Sequence, residues 1–236
     1  MDGTQTRWRS LAVAVALLGA CATQEPVPLE TSPAFVTPTE PIVKYLTPSQ
    51  HLIRAAMVLR GARPSLAELK AVTADPAKLT GIVRGYLKSE EFGATIRDLE
   101  NETLLVRSES FRRPGNGSLD GVQAQEVNVA MTETPLRTIQ HIVMSGEPYT
   151  NIVKTDYVVA NVHAAKVWQG IAAFDPKGEE WQPLKFTDGR PALGILADGS
   201  FWYRHRSAAI NYQRGRANEI ARALLCYDFL SQDIVL

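Results

Sequence analysis

Apolar residues recur every three to four positions through residues 48–107, and this spacing predicts a succession of helices. Thr47-Pro48-Ser49-Gln50 reads as a helix start: an N-cap hydroxyl, proline at the first helical position and glutamine at the third. Leu52, Ala55, Ala56 and Leu59 then form one apolar stripe, which Gly61 ends. Ser65 caps a second helix, LAELKAVT, and Asp75-Pro76 opens a third, with Leu79, Ile82, Val83, Tyr86 and Leu87 on one side. Ser89 caps a fourth, with Glu90 and Glu91 beside the positive end of its dipole. Its stripe of Phe92, Ile96, Leu99, Thr103 and Val106 carries the helix to about Arg107.

The periodicity then breaks. Residues 109–133 are polar, with Pro114, Gly115, Gly117 and Gly121, and read as a long loop. Gly115-x-Gly117 is no phosphate loop, because no strand precedes it and no Gly-Lys-Ser/Thr follows. Arg112 and Arg113 are candidate interaction residues there, against the plainer reading of solvated arginines. Thr134 reads as the cap of the next helix, with Pro135 at its first position and Leu136, Ile139, Ile142 and Val143 along its apolar side. Residues 148–170 are expected to form a buried helix through Ile152, Val153, Tyr157, Ala160, Val167 and Trp168. Prolines and glycines between 171 and 192 predict a loop with short strands, including a local hairpin over 184–190 around Asp188-Gly189. Residues 193–204 are open between a hairpin about Asp198-Gly199 and a helix. A last helix is expected from about Arg216 to Leu230. The fold class is therefore mainly α: a helical bundle-like domain with a small irregular or β-hairpin region near residues 180–204.

The N-terminus follows a different pattern. Arg7 and Arg9 precede the uncharged apolar run Leu11–Leu18, and small Gly19 and Ala20 follow, as in a secretory signal. The run is too short to span a bilayer. Leu18-Gly19-Ala20-Cys21 resembles the lipobox of bacterial lipoproteins. That resemblance implies cleavage before Cys21, acylation of its thiol, and attachment to the lipid bilayer through the acylated Cys21. Ala22, where an aspartate would favour inner-membrane retention, implies the outer membrane of the cell envelope. The alternatives are an ordinary signal peptide and a buried N-terminal helix. Pro26, Pro28, Pro33, Pro38 and Pro41 remove backbone donors and keep residues 22–47 out of a helix. A semi-rigid tether is expected, unless Pro41–Leu46 packs as an arm. The organisation is then a signal at 1–20, a lipidated and proline-rich tether at 21–47, a helical unit at 48–108, a loop at 109–133, and a C-terminal helical unit with a hairpin or loop insertion at 134–236.

Two further stretches carry a second resemblance. IRAAMVLRGARPSLAELKAV, a downstream Asp-Pro and IVRGYLKSEEFG are similar to the first unit of planctomycete and myxobacterial domains of unknown function, often found with c-type cytochrome modules. Pro148, Tyr149, Asp156, Tyr157, Asn161 and Ala165 resemble the segment that follows in that group. Arg190, Gly194, Leu196 and Ser200 resemble a stretch leading into a helix. The resemblance implies no catalytic residue.

Composition narrows the chemistry. Twenty-five basic residues face 25 acidic ones, for zero formal charge, which argues against a nucleic-acid groove. With Cys21 acylated, Cys226 has no partner in its own chain. Its apolar surroundings, ARALLCYDFL, predict a buried inert thiol, with an intermolecular disulfide as the alternative. His141 and His163 lack a Glu-x-x-His or His-x-x-x-His companion, so no metal site is expected. No GxSxG, HExxH or CxxCH occurs, and no cofactor or catalytic set is expected. Trp202 and Tyr203, followed by Arg204, His205 and Arg206, read as a saccharide or anion pocket or, more plainly, as core aromatics beside solvated arginines. The function expected is that of a non-enzymatic, membrane-anchored lipoprotein, a structural or scaffold subunit with protein partners in the envelope. The alternatives are a redox-associated or enzymatic module and a cell-wall or carbohydrate-binding module, the latter motivated by Trp168, Trp181, Trp202 and Tyr203.

Overall fold

The computed structural model describes residues 45–107, 121–168, 170–205 and 214–231, without the side chains of Tyr203 and Leu230. The expected signal at 1–20 and the expected tether at 21–47 as far as residue 44, together with Cys21, Arg112 and Arg113, lie outside the described residues. Among the described residues the architecture is mainly α, with one two-stranded antiparallel sheet.

Helix α1, Pro48–Arg60, begins as its sequence predicts. The Thr47 hydroxyl accepts the Gln50 amide at 3.3 Å, and the Gln50 side chain accepts the Thr47 amide at 2.9 Å. Two otherwise unsatisfied donors are thereby used. Gly61, with φ of 64°, ends the helix. Ser65 and Glu68 form the same reciprocal cap on α2, Leu66–Ala74. Helix α3 is Lys78–Tyr86 and α4 is Glu90–Leu104, capped by Ser89. Leu52, Ala56, Val72 and Tyr86 make a first core cluster among α1, α2 and α3.

Helix α5 runs Ala124–Met144, starting eleven residues closer to the N-terminus than the pattern predicts. Pro135 lies inside it and Thr134 is fully buried, so neither marks a start. The start is Gln123, paired reciprocally with Glu126. A helix-interior proline costs roughly 3 kcal/mol through its missing donor and its clash. Burial offsets that cost here. Val127, Ala130 and Met131 pack into one cluster with Val158, Ala160, Ala164, Val167 and Leu184. Leu136, Ile139 and Ile142 pack into another with Leu104, Val106, Ile152, Ile195 and Phe201. Buried Thr132, Thr134 and Thr138 satisfy their hydroxyls on the carbonyls of Asn128, Ala130 and Thr134 at 2.8–2.9 Å.

The stretch expected as one helix over 148–170 is instead a 3-10 turn at Tyr149–Val153, a strand β1 at Tyr157–Ala160 and a short helix α6 at Val162–Val167. The β-branched pair Val158-Val159 suits a strand. Asn161 starts α6 by accepting the amides of His163 and Ala164. Strand β2, Gln182–Lys185, pairs with β1 in antiparallel register, Tyr157 opposite Lys185 and Ala160 opposite Gln182. The partner of β2 thus lies more than 20 residues upstream, rather than across the Asp188-Gly189 turn. Residues 194–204 are helical, as a 3-10 turn at Gly194–Ala197 and helix α7 at Gly199–Arg204. Helix α8, Arg214–Leu225, stops five residues short of the expected Leu230. Cys226, with φ of 52°, turns the chain there, and the Asn218 side chain accepts the Phe229 amide at 2.9 Å.

Candidate functional site

An apolar groove of about 550 Å³ opens between α4, α8 and the 3-10 turn at Tyr149–Val153. Ile220, Ala223 and Leu224 of α8 line one wall, and Thr103 and Leu104 of α4 line another. Ile139, Ile152, Ile195 and Leu196 lie at its base. Three of those base residues belong to the second core cluster, so the groove is an unfilled edge of the core. At its mouth the Tyr149 hydroxyl donates to Glu100 at 2.8 Å. Burial, then this bond to a carboxylate, holds the Tyr149 phenol well above its usual range. It is a neutral donor throughout physiological pH, clamping the turn to α4.

The apolar surface continues past the groove along the end of α8. Leu225 is 70% exposed, Phe229 54% and Tyr227 44%. Tyr227 and Phe229 hold each other edge to face, with centroids 4.9 Å apart. Cys226 sits in this same row and is exposed, which corrects the expectation of a buried thiol. Cys226, in the left-handed region, follows directly on the last residue of α8. The result is a groove with a protruding aromatic and aliphatic ridge beside it, a shape suited to another apolar surface.

The aromatic residues near 202 serve a different purpose. Trp202 is half-buried against the second core cluster and donates its indole N–H to the Leu196 carbonyl. It also stands edge to face with Phe201, at 4.9 Å, while the Arg216 guanidinium lies over its ring at 5.8 Å. Tyr203 belongs to α7, and its side chain lies outside the description. Next to them, His205 bonds the Leu104 carbonyl at 2.7 Å through Nε2, and Arg204 donates to the Leu105 carbonyl at 2.9 Å. These two side chains cap the C-terminal carbonyls of α4. Burial lowers the His205 pKa, followed by the opposing effect of its bond to Leu104. The other two described tryptophans are engaged too: Trp168 donates to Ser200 at 3.2 Å, and Arg137 lies 5.0 Å over Trp181.

His141 stands edge to face with Tyr157, at 5.7 Å. Among the described residues, no group of three His, Cys, Asp or Glu side chains is placed to hold a metal ion. The charged side chains gather instead in the seam between α4 and α5, where Arg97 pairs with Glu90 and Glu133, and Arg107 with Glu133 and Asp98.

Leu225 and Glu100 were not singled out by sequence reasoning, and Tyr149 was named only as part of a resemblance, not as a site residue. One signal existed: Tyr227 and Phe229 are too closely spaced to share a helical stripe with Leu224, so a continued helix had to expose one of them. The groove itself has no local signature, since its walls come from segments more than 100 residues apart. No protein-family model, curated protein or solved structure matches this chain.

Proposed function

We propose that the protein is a membrane-anchored lipoprotein of the bacterial cell envelope, held by acylated Cys21, and that it acts as a docking subunit of an envelope assembly. The observation that carries the docking role is the exposed row Leu225, Tyr227 and Phe229 beside the 550 Å³ apolar groove. An exposed apolar ridge next to an apolar groove favours association, because covering it removes apolar surface from water. The anchor rests on Leu18-Gly19-Ala20-Cys21 after an apolar run of signal length.

Two variants test the halves of this reading separately. Cys21→Ser is expected to shift the protein from the membrane to the soluble fraction, with an altered mass; unchanged fractionation and mass would overturn the anchor. The double variant Leu225→Glu/Phe229→Glu, at exposed positions that leave the core intact, is expected to stay with the membrane. In detergent extracts it should migrate as a single copy, while the wild-type protein runs in a larger particle with a defined second polypeptide. A wild-type protein that runs as a solitary particle would overturn the docking role.

A further inference from the structure

A second groove lies between α1 and α3 and shares no residue with the first. From α1, His51, Arg54, Ala55 and Val58 fall at the three-to-four spacing that places them on one face. From α3, Leu79, Val83 and Arg84 face them across a shallow, open trough of about 550 Å³. The core beneath is already complete: Leu52, Ala56 and Val72 are wholly buried. The apolar arc of α1 is thus wider than its core requires. Val58 is left 63% exposed.

Charge separates this groove from an ordinary gap between helices. Neither α1 nor α3 contains an aspartate or glutamate, and no acidic residue lines the groove. The side chains of Arg54 and Arg84 make no ion pair or hydrogen bond with any described residue. Arg60, two turns along α1 from Arg54, pairs with Glu91 and lies 4.7 Å over the Tyr86 ring. In a chain of zero formal charge, two uncompensated guanidinium groups flank an apolar trough. Arginine in such a position favours carboxylates, which its planar fork engages through two parallel bonds.

We infer that this groove binds an amphipathic helix of a partner protein whose apolar face is bordered by acidic residues. The apolar ridge of that helix lies on Ala55, Val58, Leu79 and Val83, and its carboxylates meet Arg54 and Arg84. A concave trough between two helices receives a ridge of side chains, as helix-in-groove recognition requires. A flat bilayer surface would leave the trough unfilled. The inference stands apart from the groove beside α8.

The test uses the mature chain and a fluorescein-labelled synthetic 18-residue helix, with leucines on one face and glutamates along its borders. Its counterpart carries lysines in place of the glutamates. Anisotropy titrations should show binding of the glutamate peptide at least tenfold tighter than the lysine peptide, weakening as salt rises. Arg54→Glu/Arg84→Glu should reverse that preference, and Val58→Asp should weaken binding of the glutamate peptide at least tenfold; circular dichroism verifies that both variants remain folded. Equal binding of the two peptides, an unchanged preference in the double variant, or no peptide binding at all would overturn the inference. So would association with phosphatidylglycerol vesicles unaccompanied by any peptide preference.

Discussion

At the scale of single residues, the tightest constraint is Gly194. Its φ is 52°, and a Cβ placed there would meet the Ile152 carbonyl oxygen at 2.0 Å. The obstacle is backbone, which has no rotamer to yield. Its amide also donates to the Thr155 carbonyl at 3.0 Å, joining the 3-10 turn before α7 to the approach of β1. Gly194→Ala is therefore expected to destabilise the protein by about 3 kcal/mol or more, read as a lower urea midpoint at unchanged slope. A loss below about 0.5 kcal/mol would mean that the two segments do not approach so closely.

The helices show which parts of the structure are local. Thr47, Ser65 and Ser89 cap α1, α2 and α4 as their sequences predict, because each capping partner sits three residues away. Local chemistry of this kind can be tested by two substitutions of opposite sign. Ser65→Ala removes the cap of α2 and should cost about 1 kcal/mol. Gly85→Ala on α3, where a Cβ meets nothing within 4 Å, should stabilise by about 1 kcal/mol. Thermal denaturation of both variants checks the signs, and a shift in the same direction for both would contradict the placement of one of them. Elements whose reasons are distant were harder to read. The polar residues Asn128 and Thr132 made the first half of α5 resemble a loop, yet both are buried, and buried Thr134 before Pro135 imitated a helix start. The apolar spacing of Val127, Ala130 and Met131 was the overlooked sign of a helix. Strand β1 was read as helix because its partner, β2, lies far along the chain. The two grooves were illegible for the same reason, although the individual stripes of α1 and α3 were plain.

For the molecule as a whole, the buried carboxylate that caps α7 sets a dependence on pH. Asp198 accepts the Ser200 amide at 2.8 Å, and its other oxygen, Oδ2, is buried without a hydrogen-bond partner. Burial pushes its pKa up to about 6, against the pull of the Ser200 bonds and Arg190. The unfolded carboxyl titrates near ~3.9, so the folded state holds this proton more tightly. The resulting stability is fully present below about pH 4 and is lost as pH rises through about 6, an amount of roughly 3 kcal/mol. His205, whose pKa is lowered by burial, acts in the opposite direction up to its ordinary value near ~6.5. The clean measurement is the difference between Asp198→Asn and wild type, since asparagine also caps a helix. The variant should gain on the wild type between pH 4 and 6 and keep that gain above it. A difference that does not vary with pH would show that Asp198 is not strained by burial.

Helix α5 threads both of the larger core clusters, its first half feeding one and its second half the other. The α1–α3 cluster borrows nothing from that rod. Heat or denaturant that loosens α5 must therefore dissolve the sheet and the α7–α8 end in one cooperative event. The three leading helices are held to the rest by a smaller interface, which leaves them the freedom to exchange their amide hydrogens earlier and on their own schedule.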